Sequence, residues 1–332
     1  MASQEAATPQ SQHVRTGVEA VAETLRGARS ALVACHVFPD ADTLGSGLAV
    51  AIMLKRWGVP VWVSFAEPSE IPSAFVTLPG ARDVVRPDDV PDDVDVVVAV
   101  DSASSERLGV LASRIAGARE TVVIDHHRSN RGYGTINYVD PSADSTTMLI
   151  ARVMHALNEP ITEDIAHCLF AGLVTDTGSF RWCGPAAHLL AAELLATGID
   201  APAITRELLD THPFGRLSML ASVLGTAQLL PNAAQGRGLV YTIVRLADIS
   251  GIPEDERETV VDIVRGTGEA EVAAVIKELS PDRWSVSLRS KSSVDVAEVA
   301  SALGGGGHTR SAGFETDGEV EDLIASLVRE LA

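Results

Sequence analysis

VDVVVAVD (94–101) and TVVIDHH (121–127) decide the fold. Each is an apolar run of strand length that ends on acidic or histidine side chains. ALVAC (31–35) has the same build and runs directly into His36. After it, TLGSGLAVAIMLKRW (43–57) carries apolar residues at helical spacing. Strands that alternate with helical patterns predict a parallel sheet wrapped by helices, an α/β fold. In such sheets ligands sit beyond the carboxyl ends of the strands. His36, Asp101 and the Asp125-His126-His127 triplet all fall there, so three strand ends point chemical groups toward one rim.

Outward from this core, 145–208 reads as largely helical: TTMLIARVMHAL, EDIAHCLFAGLVTDT and PAAHLLAAELLATG each carry an apolar face. Residues 206–228 read as a connecting helix. After NAAQGRG (232–238) the pattern turns to strands, LVYTIV, EAEVAAVIKEL and RWSVSLRS, with helices between. The expected division is a loose tail at 1–15, a first domain at 16–205, a linker helix and loop at 206–235, and a smaller α/β domain at 236–332. A length of 332 residues suits two domains that each bury a core. No internal repeat is evident.

The composition, 46% apolar and 21% charged, is that of a globular protein rather than a disordered chain. The formal charge of −19 disfavours an open groove for a long polyanion. It reflects either plain solubility or carboxylates gathered to hold cations, and only positions separate the two. Three cysteines without CxxC spacing argue against a disulfide framework and a structural zinc site. The polar start MASQEAATPQSQHVR lacks the apolar stretch of a signal peptide. No apolar run approaches the ~18 residues of a spanning helix. A cytoplasmic protein without membrane attachment is the expectation.

HVFPDADTLGS (36–46) places His36, Asp40 and Asp42 on a strand-to-helix loop. Carboxylates two apart on an extended loop point to different sides and can serve two neighbouring cations. Mixed His and Asp ligands suit Mn²⁺, Zn²⁺, Co²⁺ or Fe²⁺ better than Ca²⁺. The plainer alternative is an ordinary loop with Asp42 or Thr43 capping the helix. Asp101 follows five apolar residues, and a carboxylate there is costly unless paired or bound to metal. Asp176 lies in GLVTDTGSF (172–180), flanked by Gly172 and Gly178. Each alone reads as a cap, a turn or a surface charge; all of them at one rim do not. No P-loop and no Ser/His/Asp arrangement competes.

HxxxDxD, a strand-terminal Asp, DHH, GxxTDTG and GGGGHTRSAG (304–313) occur in that order. Together they resemble the DHH/DHHA1 phosphoesterase family, from about residue 20 to the C-terminus. The moderate length is most similar to the NrnA-type members, oligoribonucleases and 3′-phosphoadenosine-5′-phosphate phosphatases, which have cyclic-di-AMP phosphodiesterases among their relatives. The resemblance implies a parallel-sheet DHH domain with helices on both faces, followed by a DHHA1 substrate-binding domain. It implies two divalent metal ions, Mn²⁺ foremost. His36, Asp40 and Asp101 would hold one; Asp42, Asp101, His126 and Asp176 would hold the other, with Asp101 shared. His127 would face the substrate phosphate and Asp125 would orient its neighbours.

In the second domain the resemblance favours substrate contacts from Arg289 and His308. Gly305, Gly306 and Gly307 would bring backbone N–H groups close to a phosphate or base. Arg310 and Arg265 are secondary candidates, and a flexible turn is the simpler account of the glycines. His13, His155, His167, His188 and His212 read as structural or exposed. The implied substrates are short: dinucleotides such as pApA, nanoRNA, cyclic-di-AMP or 3′-phosphoadenosine-5′-phosphate. Long nucleic acid is not expected, and a homodimer is compatible with the pattern. The rival readings are a nucleotide-binding regulatory module without turnover and, within the superfamily, a pyrophosphatase or RecJ-like exonuclease.

Overall fold

The computed structural model describes residues 15–252, 256–257 and 259–332. Most of the expected tail, His13 included, and the His308 side chain lie outside what is described. The chain divides into two compact units, one ending at Thr211 and the other beginning at His212.

The first unit is built on a seven-stranded sheet ordered β1-β7-β6-β5-β2-β3-β4. The strands are β1 (Arg15–Thr16), β2 (Ala31–Ala34), β3 (Val61–Ser64), β4 (Val84–Val85), β5 (Val96–Val100), β6 (Glu120–Asp125) and β7 (Ile136–Val139). Every neighbouring pair is parallel. The strands are short, and β2 and β5 are buried throughout and β6 from Thr121 on, which is why they read as largely apolar runs.

Successive residues of β5 face opposite layers. Val96, Val98 and Val100 join the core formed by α1 (Val18–Arg26), α2 (Ala41–Arg56), α3 (Thr146–Leu157), α4 (Glu163–Asp176), α5 (Pro185–Leu195) and α6 (Ala201–Leu209). Val97 and Ala99 pack with Leu108 and Leu111 of the 3₁₀ segment Ser105–Gly117 on the other face. Both faces therefore carry helical cover. The chain runs outward from β2 through β3 to β4, then returns to β5 and proceeds the other way through β6 and β7. The β2–β5 junction is thus the topological switch point of the sheet, where α/β folds open a crevice at the carboxyl ends.

The second unit holds a six-stranded sheet ordered β12-β13-β11-β10-β9-β8. Its strands are β8 (Gln228–Leu230), β9 (Leu239–Val244), β10 (Val272–Ser280), β11 (Arg283–Ser290), β12 (Gly306–His308) and β13 (Ser311–Asp317). Only β9 and β10 run parallel. Val272, Ala274 and Ile276 face one core, with helices Val296–Ala302 and Val320–Glu330. Ala273 and Val275 face the other, with α7 (Gly215–Gly225) and helix Val260–Val264. The stretch expected as one connecting helix is broken between α6 and α7 at 210–214, where Pro213 cannot continue a helix. Met219 and Val223 of α7 are buried in the second unit. Among the described residues no helix is long and apolar enough to cross a membrane.

Candidate metal centre

The loop after β2 carries His36 and ends on Asp40, the N-cap of α2. Asp40 Oδ1 accepts from the Asp42 and Thr43 amides at 3.0 Å each. The cap is therefore Asp40, not Asp42 or Thr43. Asp42 lies in the first turn of α2 and points elsewhere: its Oδ2 and Oδ1 accept from the Thr146 and Thr147 amides that open α3, at 2.6 and 2.9 Å. Thr43 Oγ1 donates to Val100 O at 3.1 Å and so ties α2 to the end of β5.

Asp101 follows β5 in the left-handed region, at φ 54. This places its carboxylate at the centre of the rim. Thr146 Oγ1 donates to Asp101 Oδ1 at 2.9 Å. Asp101 Oδ2 stands 3.4 Å from His36 Nε2, and Oδ1 stands 3.6 Å from His126 Nε2. His36 Nε2 lies 3.6 Å from Asp40 Oδ2, and His126 Nε2 lies 3.4 Å from Asp176 Oδ2 at the end of α4. The ligating atoms cluster as His36, Asp40 and Asp101; as Asp42, His126 and Asp176; and as Asp101, His126 and His127, each set within 4.8 Å.

Both candidate histidines present Nε2 to the carboxylates and have a backbone oxygen at Nδ1. His36 Nδ1 donates to Val37 O at 2.8 Å, and His126 Nδ1 donates to Ala143 O at 3.2 Å. That pattern fixes the tautomer a metal-binding imidazole requires. Asp125, fully buried at the end of β6, accepts from His127 Nδ1 and from Asn130 Nδ2, both at 2.7 Å. Asn130 Nδ2 also donates to Ser102 O at 3.0 Å, which links the β5 and β6 loops.

The electrostatics call for a cation. Burial raises Asp42 to about 7, with Asp101 adding to the rise, and burial with Asp42, Asp40 and Asp101 nearby lifts Asp176 well above the carboxylate range. His36 pulls the other way. Its desolvation favours the neutral ring, yet Asp101 and Asp40 outweigh it and raise the imidazole to about 10. His127 is raised as well, because Asp125 and Asp101 overcome its desolvation. Four crowded aspartates with no Lys or Arg ion pair among the described residues, and imidazole lone pairs turned toward them, fit divalent cations of the type that His and Asp bind. Left-handed Phe38, Asp101, Ser179 and Phe180 all border these side chains, which is where backbone strain collects at functional sites.

Of the second-unit candidates, Arg289 lies on β11, Gly306 and Gly307 on β12, and Arg310 in the turn that leads to β13. Arg289, on β11, donates to Leu288 O at 3.1 Å and pairs in register with Ser311. The second half of the glycine run, Gly306 and Gly307, belongs to the edge strand β12, and Gly304 lies in the turn before it. A Cβ on Gly307, at φ +143, would meet Ala312 Cα at 2.5 Å, and one on Gly305 would collide with Gly313 and Phe314; around Gly306 the space is open. Arg310 reaches Ser290 Oγ at 3.3 Å and Val294 O at 3.4 Å. Arg265 contacts Asp262 at 3.4 Å. His155 and His212 pair with Glu193 and Glu256 at 2.7 and 3.0 Å. Thr146, Asn130 and Arg107 carry no motif in the sequence, and the Arg107 guanidinium lies 3.3 Å from His36 Nδ1. SERLG (105–109) shortly after Asp101 was the signal for Arg107, but it carries no periodicity.

A parallel α/β unit with a His/Asp cluster at its switch point, joined to a mixed-sheet unit with a glycine edge strand, defines a two-domain class. Residues 30–173 match the DHH family, N-terminal domain, and residues 238–332 match the DHHA1 domain. The chain belongs to the DHH/DHHA1 family. It is 32% identical over 318 residues to the bifunctional oligoribonuclease and PAP phosphatase NrnA of Thermus thermophilus, covering 93% of each chain. It is 27% identical to a probable bifunctional oligoribonuclease and PAP phosphatase NrnA of Streptococcus mutans, over 88% of this chain and 92% of that one. An exopolyphosphatase-related protein from Bacteroides fragilis shares the fold, with TM-score 0.86 over 95% of each chain at 22% identity.

Proposed function

We propose that this protein is a metal-dependent phosphoesterase that hydrolyses short nucleotide substrates, with dinucleotides and 3′-phosphoadenosine-5′-phosphate foremost. One observation carries the reading: Asp101 divides its two carboxylate oxygens between two His/Asp sets at the switch point of the sheet. The names of the relatives from Thermus and Streptococcus support the nucleotide class.

His36, Asp40 and Asp101 would hold one ion, and Asp42, Asp101, His126 and Asp176 the other; Mn²⁺ suits this donor set. Divalent ions at such a site supply charge neutralisation for phosphoryl oxygens and lower the pKa of water. Asp125 accepts the Nδ1 proton of His127 and orients the ring, whose Nε2 would face a substrate phosphate. The Asp125 and Asp101 carboxylates beside His127 raise its imidazole and favour the protonated ring, which suits it to donate to a phosphate oxygen or a leaving alkoxide. Asn130 and Thr146 fix Asp125 and Asp101 against rotation. In the second unit Arg289, Arg310, His308 and the backbone of Gly305, Gly306 and Gly307 would bind the non-reacting end of the substrate.

The test compares kcat/KM for pApA, longer oligoribonucleotides, cyclic-di-AMP, 3′-phosphoadenosine-5′-phosphate, pyrophosphate and a minimal chromogenic phosphodiester, with Mn²⁺ and with chelator. The reading expects short nucleotides to lead and chelator to stop all turnover. Arg289→Ala should cost roughly ten- to a hundred-fold on nucleotides, the worth of a charged hydrogen bond, and little on the minimal ester. Pyrophosphate as the best substrate, or nucleotide binding without turnover, would replace this reading with a rival.

A further inference from the structure

Arg107 occupies a position that the metal ligands do not explain. It lies in the 3₁₀ segment that follows β5, six residues beyond Asp101. Its backbone is fixed on both sides: the Arg107 amide donates to Ser104 O at 3.2 Å, and its carbonyl accepts from the Val37 amide at 2.8 Å. Two residues on, Gly109 turns at φ +57, and a Cβ there would meet Ala66 Cβ at 2.7 Å and Val37 Cγ1 at 3.0 Å. The loop that carries His36 and the segment that carries Arg107 are therefore pressed together, and the close approach depends on a glycine.

The side chain then reaches His36 Nδ1 at 3.3 Å, its only polar contact among the described residues. This contact cannot be a hydrogen bond when His36 serves a metal. A neutral imidazole that offers its Nε2 lone pair carries its proton on Nδ1. That proton is directed at Val37 O, 2.8 Å away. The Arg107 N–H groups then face a proton instead of a lone pair. An exposed guanidinium is thus left without a protein acceptor beside a candidate metal ligand, open to an anion from solvent, in a chain of net charge −19. Arg29, Arg114, Arg119 and Arg152 of the same unit each meet an aspartate; Arg107 meets none among the described residues. Planar paired donors of this kind match the oxygens of a phosphoryl group.

We propose that Arg107 binds the reacting phosphoryl group, on the His36 side of the centre. The proposal deepens the phosphoesterase reading and rests on it. Thr43 and Val37 hold the His36 loop from one side, so Arg107 is not required to keep that histidine in place.

The experiment uses the full chain loaded with Mn²⁺, as wild type, Arg107→Ala, Arg107→Gln and Arg107→Lys. Three quantities are read: Mn²⁺ per chain by atomic emission, affinity for inorganic phosphate by titration calorimetry, and kcat/KM on a chromogenic phosphodiester. The expected result is unchanged metal content, with phosphate affinity weakened roughly ten- to a hundred-fold in Arg107→Ala and Arg107→Gln. Arg107→Lys keeps part of the affinity as a point charge, and kcat/KM falls at least as far as binding does. Equal phosphate affinity in all four proteins would overturn the proposal. So would a loss of metal in step with activity that excess Mn²⁺ restores, because Arg107 would then be a prop for His36. If the wild type binds Mn²⁺ but turns over no phosphoester, the phosphoesterase reading fails, and the phosphate titration still decides whether Arg107 binds the anion.

Discussion

At Asp101 the chain leaves β5 in a left-handed conformation and presents one carboxylate to three histidines, His36, His126 and His127. The residue was legible because a buried strand ending on an acid demands a partner. His36, His126 and Asp176 were legible for similar reasons of position. Arg107 was not, because its contact with His36 spans 71 positions and its segment has no regular period. Asn130 and Thr146 likewise act across strands. The two adjacent histidines are distinguished by their partners. His126 turns Nε2 to Asp101 and Asp176, whereas His127 commits Nδ1 to Asp125. His126→Ala should lower bound metal and turnover together. His127→Ala should lower kcat by about 10²- to 10⁴-fold, the range of general acid catalysis, with metal content nearly unchanged. Metal analysis beside steady-state rates decides the matter, and the reverse order would exchange the two roles.

Among the elements, the crossing of α2 and α4 sets the geometry of the site. Gly172 of α4 faces Asp42, and a Cβ there would lie 2.6 Å from Asp42 Oδ1, 2.8 Å from Asp42 Cα and 2.6 Å from Thr147 Cγ2. Gly45 of α2 meets the Cys168 backbone in the same close approach. Gly172→Ala should therefore displace Asp42, cost about 1–3 kcal/mol of stability as overpacking does, and weaken metal binding. Thermal unfolding and metal titration read the two effects, and a mutant with wild-type metal affinity would show that the crossing is not what positions Asp42. The helix α2 was readable from its periodicity, and strands β2, β5 and β6 from their apolar runs. The strand order was not, because the neighbouring of β2 and β5 depends on a crossover rather than on local sequence. The glycine run was read as a ligand loop, yet Gly305 and Gly307 are already required by the approach of β12 to β13.

Across the molecule, the two rims of the first sheet carry different burdens. The carboxyl rim gathers the His/Asp cluster, whereas the amino rim is tied by Asp95, which binds Arg119 at 2.9 and 3.0 Å and Arg29 at 2.9 Å. Arg119 first, then the Arg29 amide and guanidinium, hold the Asp95 carboxyl well below the usual carboxylate range against its desolvation. A depressed folded-state pKa contributes stability that is present above the unfolded value of about 3.9 and is lost as pH falls below it. Asp95→Asn should thus cost about 1–2 kcal/mol at pH 7, a figure reduced by the exposure of both guanidinium groups. The deficit against wild type should shrink below pH ~4. Urea unfolding at both pH values tests this, and an equal deficit at both would mean the carboxylate charge is not what matters.

On this reading Asp101 is shared by two metal ions. Anomalous diffraction at the manganese edge, on crystals grown with Mn²⁺, tests it most directly. The account predicts two peaks roughly 3.5–4 Å apart, the spacing of two-metal hydrolytic sites. One peak should lie against His36, Asp40 and Asp101, and the other against Asp42, Asp101, His126 and Asp176. A single peak that Asp101 does not touch, or none at the carboxyl rim of β2 and β5, would contradict it.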